Sequence, residues 1–194
     1  RETSRVRVGT AVTPTYPRPP GALAQQAMTT APATHGRFTL GIGLSHQTVL
    51  ANLFGLSYDT PAKHMREYLR VLMPLLRGET VNYQGDQYSV QGLTLDIPGG
   101  TDLPVVVAAL GPAMIKLTAE LADGTNTWMV GPKTMEEHIS PSFQAAGRPD
   151  PAIVAGRPIV LTTNVDAAKE QIAKDLTVYG QLPSYRAMLD REGA

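Results

Sequence analysis

Short apolar runs alternate along the chain with stretches in which apolar residues recur every three or four positions. The short runs are rich in β-branched residues and are closed by glycine or proline, which is typical of buried strands. They occupy residues 6–12, 38–43, 104–109, 125–129 and 153–160. The stretches that follow them predict helices. Because strand and helix alternate, the pattern favours parallel strands joined by right-handed crossovers.

The clearest predicted helix begins at Pro61, directly after Thr60. Its apolar residues lie on one face and recur at helical spacing: Met65, Tyr68, Leu69, Leu72, Met73 and Leu76. Gly78 is expected to end it, and Pro74 predicts a kink or an early stop in the last turn. Such a one-sided pattern indicates a helix that packs against a sheet.

Other helix boundaries depend on single residues. Ser45 is expected to cap a short helix that ends at Gly55. Thr134 and Glu137 have the spacing of a capping box and predict the start of a later helix, which Pro141 is expected to break.

The terminal parts of the chain also predict helices. One opens at Pro20 and ends at His35-Gly36, a pair suited to a left-handed turn. Near the other end, a helix is expected to stop at Gly180, and residues 183–191 add a short helical piece. The buried face of this later helix is predicted to consist of Ala168, Ile172, Leu176 and Tyr179.

A small β-hairpin interrupts the alternation of strands and helices. Residues 81–83 and 88–90 are joined through a polar turn and have strand-like composition. We assign residues 79–103 to a hairpin and loop inserted into a single domain that covers residues 1–194. The strands fit two architectures: a complete doubly wound sheet, or an incomplete (β/α)8 barrel, which needs eight strands and typically about 250 residues.

The amino-acid composition limits the kinds of molecule that this chain is expected to bind. The 17 lysine and arginine residues balance 17 aspartate and glutamate residues, so no broad positive field favours nucleic acid, and a small molecule is the expected partner. Cysteine is absent, which excludes disulfides and thiolate catalysis within these residues. The longest apolar run, 105–110, is far shorter than the roughly 20 residues that cross a bilayer. We therefore expect a cytoplasmic protein, although a first residue other than Met leaves room for an upstream segment.

Several short motifs stand in the order and approximate spacing of one known family. They are Val8-Gly9-Thr10-Ala11-Val12, Gly36-Arg37-Phe38, Gly41-Ile42-Gly43-Leu44-Ser45-His46, Glu67-Tyr68-Leu69, the hairpin around Gly85, Val105 to Pro112, and Leu121-Ala122-Asp123-Gly124. Together they resemble the luciferase-like, F-420-dependent oxidoreductases. The resemblance implies a (β/α)8 TIM barrel that is incomplete, with about strands 3 to 7 present, an intact protein that is longer, and a possible homodimer.

The resemblance also implies a catalytic residue. In such barrels ligands lie at the carboxyl ends of the strands, and His46 follows the strand that ends at Gly43. A neutral imidazole there can donate or accept a proton near pH 7, whereas the alternative is an ordinary hydrogen bond near a helix start. The sugar-phosphate dehydrogenase branch of the family has an acidic residue at this position. We therefore do not carry that branch's substrate over to this chain.

The cofactor contacts are likewise implied by the family. Its members commonly have a non-prolyl cis peptide behind the deazaflavin ring, which by match is the bond Ala11-Val12. The turn into the helix at Pro112 matches the contact to the cofactor tail, although Gly-Pro is also an ordinary turn. The implied cofactor-binding residues are Thr10, Ala11, Val12, Gly43, Ala108, Ala109, Leu110, Gly111 and Gly131. Lys133 is a further candidate for an anionic group, and Trp128 and Met129 for a wall of the site.

Other signals are set aside. Gly41 and Gly43 lack the third glycine of a dinucleotide fingerprint. His35 fits a helix end, and His64 and His138 fall on helices without a paired ligand, so we assign no metal. The leading hypothesis is an oxidoreductase that moves a hydride between coenzyme F-420 and a small organic substrate. An FMN-dependent monooxygenase of the same superfamily is the near alternative, and a non-catalytic ligand-binding barrel fragment is the alternative of another class.

Overall fold

The computed structural model describes residues 3–193, and its main feature is a curled parallel sheet. The strands of this sheet are β1 (Val8–Gly9), β2 (Thr13–Pro14), β3 (Phe38–Gly43), β6 (Val105–Ala108), β7 (Gly124–Trp128) and β8 (Ala152–Gly156). They follow the order β1-β3-β6-β7-β8, and β2 also pairs with β3. All of these pairs are parallel; Leu40, for example, lies opposite Val105. The sheet is the incomplete barrel wall that the resemblance implies.

Helices connect these strands, and a separate hairpin stands beside them. The helices are α1 (Pro20–Ala33), α2 (Gln47–Val49), α3 (Pro61–Leu76), α4 (Pro112–Leu121), α5 (Pro132–Thr134), α6 (Ser140–Ala145), α7 (Val165–Asp175), α8 (Thr177–Gln181) and α9 (Pro183–Glu192). The π-helical segments Leu50–Phe54 and Met135–Ile139 continue α2 and lead into α6. The predicted hairpin is confirmed as the antiparallel pair β4 (Val81–Gln84) and β5 (Ser89–Leu93). No helix within residues 3–193 is both long and apolar enough to cross a membrane.

The core forms where the apolar helix faces meet the sheet. Every position of the predicted α3 face is buried, and α3 packs beside α1 over β3 and β6. A second cluster forms around Ile115, Ile139 and Phe143, and Met188 of α9 joins it. These clusters fix the strand ends on one side and attach the C-terminal helix on the other.

The predicted strand over residues 6–12 is interrupted. Its backbone pairs with β3 at Val8–Gly9 and again at Thr13–Pro14, and the Ala11–Val12 peptide between these pieces is cis, as the resemblance implies. At the break, the Thr10 hydroxyl donates to the Gly41 carbonyl (2.7 Å) and accepts from the Gly41 N–H (2.9 Å). The prediction of one continuous strand is wrong: the Thr10 N–H still donates to the Thr39 carbonyl (3.3 Å), but the Thr10 hydroxyl makes the bonds to Gly41, and regular pairing resumes only at Thr13.

Two predicted caps are also wrong. Ser45 adopts a left-handed backbone (φ 66°), and α2 begins after His46, which occupies the capping position without a side-chain bond. Thr134 lies inside helical backbone that starts at Pro132, and Pro141 does not break this segment. The preceding π-helical turn shifts the hydrogen-bond pattern by one residue, which accommodates a proline without an N–H.

The C-terminal part is more exposed than its pattern suggests. Strand β8 ends at Gly156, opposite the last residue of β7, so the predicted extension to residue 160 has no strand to pair with. The predicted later helix is present as α7 and α8. Its expected face (Ala168, Ile172, Leu176 and Tyr179) is only half-buried, and α7 has no fully buried residue.

A buried carboxylate attaches the hairpin to α3. Glu67 is only 5% exposed and accepts hydrogen bonds from the backbone N–H groups of Asp86, Gln87 and Tyr88, at 3.2, 2.8 and 3.2 Å. Burial raises the pKa of Glu67, but the hydrogen bonds from Gln87, Asp86 and Tyr88 outweigh burial and hold this pKa below its ordinary value. The charged carboxylate therefore holds the tip of the hairpin in place.

We predict that Glu67→Gln lowers the free energy of unfolding at pH 7 by about 2 kcal/mol, because the neutral amide accepts these bonds less strongly. The native stability from Glu67 is present above its unfolded pKa and is lost as the pH falls through the lower folded pKa. Urea unfolding between pH 7 and pH 3 measures both effects. Glu79→Gln, at an exposed position, is the control; equal losses in the two variants would contradict this role of Glu67.

Candidate functional site

A cavity of about 570 Å³ opens at the carboxyl ends of β3, β6, β7 and β8. Most of the predicted site residues line it together: His46, Ala11, Val12, Gly43, Ala108, Ala109, Leu110 and Gly111. They come from separate parts of the chain, and the parallel register brings them to one edge. The position agrees with the rule that ligands of parallel sheets bind beyond the carboxyl ends of the strands.

Small residues form the floor of the cavity. A Cβ atom added at Gly43 would lie 2.8 Å from Val12 Cγ2 and 3.2 Å from Ala108 Cβ, so this position has no room for a larger side chain. The cis peptide Ala11–Val12 lies at the same edge of the floor. A flat ligand can therefore approach the backbone of the strand ends closely.

His46 lies at the rim, in the turn between β3 and α2. The preceding left-handed Ser45 turns the chain out of the strand, and His46 then returns to extended backbone (φ −112°, ψ 146°). Its imidazole is half-buried and has no hydrogen-bond partner within residues 3–193. The ring is therefore available to a ligand in the cavity.

Two predicted cofactor residues lie outside the lining. The Thr10 hydroxyl is occupied by Gly41, and Thr10 borders a different cavity, of about 430 Å³, on the concave face of the sheet. Gly131 is covered by α9: Glu192 accepts a hydrogen bond from the Thr134 N–H at 2.6 Å, and a Cβ at Gly131 would collide with its carboxylate. The part of these two residues in cofactor binding stays a prediction.

An aromatic wall stands on the C-terminal side of the cavity. Trp128 lies 6.4 Å from Tyr179, Tyr179 lies 5.0 Å from Tyr185 in a T-shaped pair, and Tyr185 lies 6.2 Å from His46, all between ring centroids. The sequence singled out Trp128 as a possible wall residue but gave Tyr185 no role and placed Tyr179 on a buried helix face. No sequence motif around Tyr179 or Tyr185 indicates that α8 and α9 cover these strand ends.

Two buried polar atoms beside the cavity lack partners. Within the described part of the chain, neither the Thr127 hydroxyl nor the Trp128 indole N–H makes a hydrogen bond, and both residues contribute to the lining. An unpaired buried polar group costs roughly 1–3 kcal/mol. A ligand that brings oxygen or nitrogen atoms close to these groups would offset that cost.

His64 lies near the site and has a structural role that its sequence context did not show. Its ring contacts Thr15 Oγ1 at 3.0 Å and Gln87 Oε1 at 2.9 Å, and it stacks on Tyr16 at 3.8 Å. Burial lowers the pKa of His64, against the opposing effects of the Gln87 bond and the Glu67 charge. A neutral His64 therefore links α3, the hairpin and the loop after β2.

The chain belongs to the luciferase-like monooxygenase family, whose family model matches residues 1–194. One relative is a 5,10-methylenetetrahydromethanopterin reductase of Archaeoglobus fulgidus, 31% identical over 150 residues, which are 76% of this chain and 45% of the relative. Another is an F-420-dependent glucose-6-phosphate dehydrogenase of Microbacterium testaceum, 34% identical over 63% of this chain and 37% of the relative. The chain thus spans about half the length of the curated relatives it matches.

Solved structures agree on the fold. A coenzyme F-420 dependent tetrahydromethanopterin reductase from Methanopyrus kandleri superposes with a TM-score of 0.74 at 24% identity, over 99% of this chain and 61% of that one. The oxygenating constituent of 3,6-diketocamphane monooxygenase from Pseudomonas putida, in complex with FMN, gives a TM-score of 0.72 at 14% identity, over 96% of this chain and 61% of that one. At these identities the likeness establishes the barrel architecture alone.

We predict that Glu192→Ala loosens α9, because it removes the carboxylate that accepts the Thr134 N–H and leaves Met188 as the main attachment. Amide hydrogen exchange within residues 183–192 should become faster, while β3 and β6 keep their protection. Glu170→Ala, which removes an exposed pair with Lys174 on α7, is the control. Unchanged exchange in α9 would show that Met188 packing alone holds it.

Proposed function

We propose that this chain carries the cofactor-binding side of an F-420-dependent oxidoreductase that transfers a hydride between the deazaflavin and a small organic substrate. The observation that carries the proposal is the single cavity in which His46, the Ala11–Val12 peptide, Gly43 and the turn at Gly111 meet at the strand ends. A floor of small residues and a helix start are suited to binding and orienting such a cofactor, and an imidazole with no hydrogen-bond partner among residues 3–193 is suited to moving a proton.

The residues present fit this cofactor. The small floor at Gly43 leaves space for a flat ring system, and the unpaired Thr127 and Trp128 groups suit its polar ring atoms. The start of α4, where Gly111 precedes Pro112, presents backbone N–H groups to a phosphate of the tail. Ala11, Val12 and Gly43 would thus hold the ring, and Leu110 and Gly111 the tail.

We assign the proton transfer of this reaction to His46. Bound F-420 would supply the hydride chemistry, as hydride acceptor in one direction and hydride donor in the other. When a hydride leaves a substrate carbon that carries a hydroxyl, His46 takes the hydroxyl proton and the C–O bond becomes a carbonyl. In the reverse direction, the protonated imidazole returns that proton to the oxygen.

Relatives named for F-420 favour this cofactor over FMN, although a structural neighbour in complex with FMN keeps the monooxygenase as the second candidate. A non-catalytic ligand-binding barrel fragment is the third. Oxygen uptake with reduced FMN would favour the monooxygenase, because deazaflavins react poorly with oxygen. Cofactor binding without turnover would favour the fragment.

We predict that the chain binds F-420 more tightly than FMN. Trp128 is the only tryptophan of the chain and lies on the cavity wall, so its fluorescence should fall as ligand fills the cavity. Gly43→Ala should weaken F-420 binding about tenfold by raising the floor, since roughly 1.4 kcal/mol corresponds to a tenfold change. Gly21→Ala on α1 is the control, and absence of F-420 binding by the unaltered chain, or of binding at this cavity, would contradict the proposal.

We predict that His46→Ala keeps F-420 affinity within about twofold but lowers turnover at least a hundredfold, the lower range for losing a general acid or base. The assay follows the absorbance of F-420 during oxidation of small secondary alcohols. His35→Asn, at an exposed helix end, is the control and should keep full turnover. Full turnover in His46→Ala would remove His46 from the proton transfer.

A further inference from the structure

Tertiary contacts hold the aromatic wall in its position. Helix α9 is attached at two points, since Met188 is 3% exposed within the second core cluster and Glu192 accepts from Thr134 N–H. Tyr185 lies one to two turns before these attachments on the same helix. Its position beside His46 is therefore set by tertiary contacts and does not depend on a free loop.

The wall and the floor of the cavity differ in the size and type of their side chains. The floor is made of small residues at the strand ends, whereas the wall carries consecutive ring contacts from Trp128 through Tyr179 and Tyr185. His46 and Tyr185 both line the cavity with their ring centroids 6.2 Å apart, so a molecule bound at His46 lies beside the Tyr185 ring. Tyr185 therefore borders the substrate's position, while the cofactor ring belongs to the floor.

The Tyr185 phenol in this wall is uncharged at neutral pH. Burial, and then the neighbouring Tyr179, raises the pKa of the Tyr185 phenol above its ordinary value. Its hydroxyl has no hydrogen-bond partner among residues 3–193. A neutral, half-buried ring of this kind suits an uncharged flat group, because aromatic pairs gain about 0.5–1.5 kcal/mol beyond the area they bury.

We propose that Tyr185 is a specificity-determining residue that selects substrates with an aromatic group next to the carbon bearing the hydroxyl or carbonyl. The proposal deepens the proposed function and rests on it for the identity of the reaction. The oxygen lies toward His46, and the aromatic group lies along Tyr185 and Tyr179. Tyr185 takes no part in moving the proton or the hydride.

The test uses two ketones that differ only in the flatness of the attached ring. The F-420-loaded chain is titrated with acetophenone and with cyclohexyl methyl ketone, and each dissociation constant is measured by ligand-observed NMR. We expect acetophenone to bind about fivefold more tightly, the factor that corresponds to roughly 1 kcal/mol of aromatic contact. Simple apolar burial predicts no such advantage, because the cyclohexyl ring has at least as much apolar surface.

Variants separate the ring from the rest of the helix. Tyr185→Phe keeps the ring and should keep the fivefold preference, whereas Tyr185→Leu should bring the ratio close to one. Tyr83→Leu, at a half-buried hairpin position outside the cavity, is the matched control and should leave the ratio unchanged. Hydrogen exchange within residues 183–192 establishes that α9 stays attached in each variant.

The outcomes distinguish the two proposals. An unchanged preference in Tyr185→Leu with α9 attached, or equal or absent binding of both ketones by the unaltered chain, overturns the role of Tyr185. Failure to bind F-420 overturns the proposed function instead. In that case the ketone titration is repeated without cofactor, and a preference that depends on the Tyr185 ring still establishes an aromatic ligand site.

Discussion

The Thr10 hydroxyl bridges the one place where the first strand leaves the sheet. It donates to and accepts from the backbone of Gly41, so a side chain makes the two bonds to Gly41 while the Thr10 N–H still bonds to Thr39 and the backbone makes its cis turn at Ala11–Val12. The bridge requires glycine at position 41, because a Cβ there would collide with the Thr10 carbonyl oxygen. Pairing then resumes at Thr13, which places Val12 against Gly43. The floor of the cavity depends on this contact.

The opposite side of the cavity depends on helix docking. The barrel strands bring His46, Gly43 and Gly111 to one edge, but the aromatic wall comes from helices later in the chain. Those helices are joined to the sheet through Met188 and Glu192, and α7 before them is largely exposed. The floor is thus set by backbone pairing and the wall by a few side-chain contacts, which suits a fixed cofactor position and a more variable substrate side.

The apolar pattern predicted individual strands and helices well where they pack against the core. Strand β3 matches its predicted run at both ends, and the α3 face is buried as its spacing indicates. The pattern does not predict where a side chain bonds to the backbone or where a residue adopts a left-handed conformation. It could not show that Thr10 would bond to Gly41, or that Ser45 would adopt a left-handed conformation instead of capping a helix. Tyr185 was missed as a lining residue because the fold brings it beside His46, which lies 139 positions earlier in the chain.

We propose that the cavity at the strand ends holds the deazaflavin ring. A crystal structure of the chain grown with F-420 tests it most directly. We expect the ring to lie against the Ala11–Val12 peptide and Gly43, with the tail at Gly111 and His46 at the open side of the ring. A ring bound elsewhere, such as in the concave cavity beside Thr10, or no bound ring at saturating F-420, would contradict it.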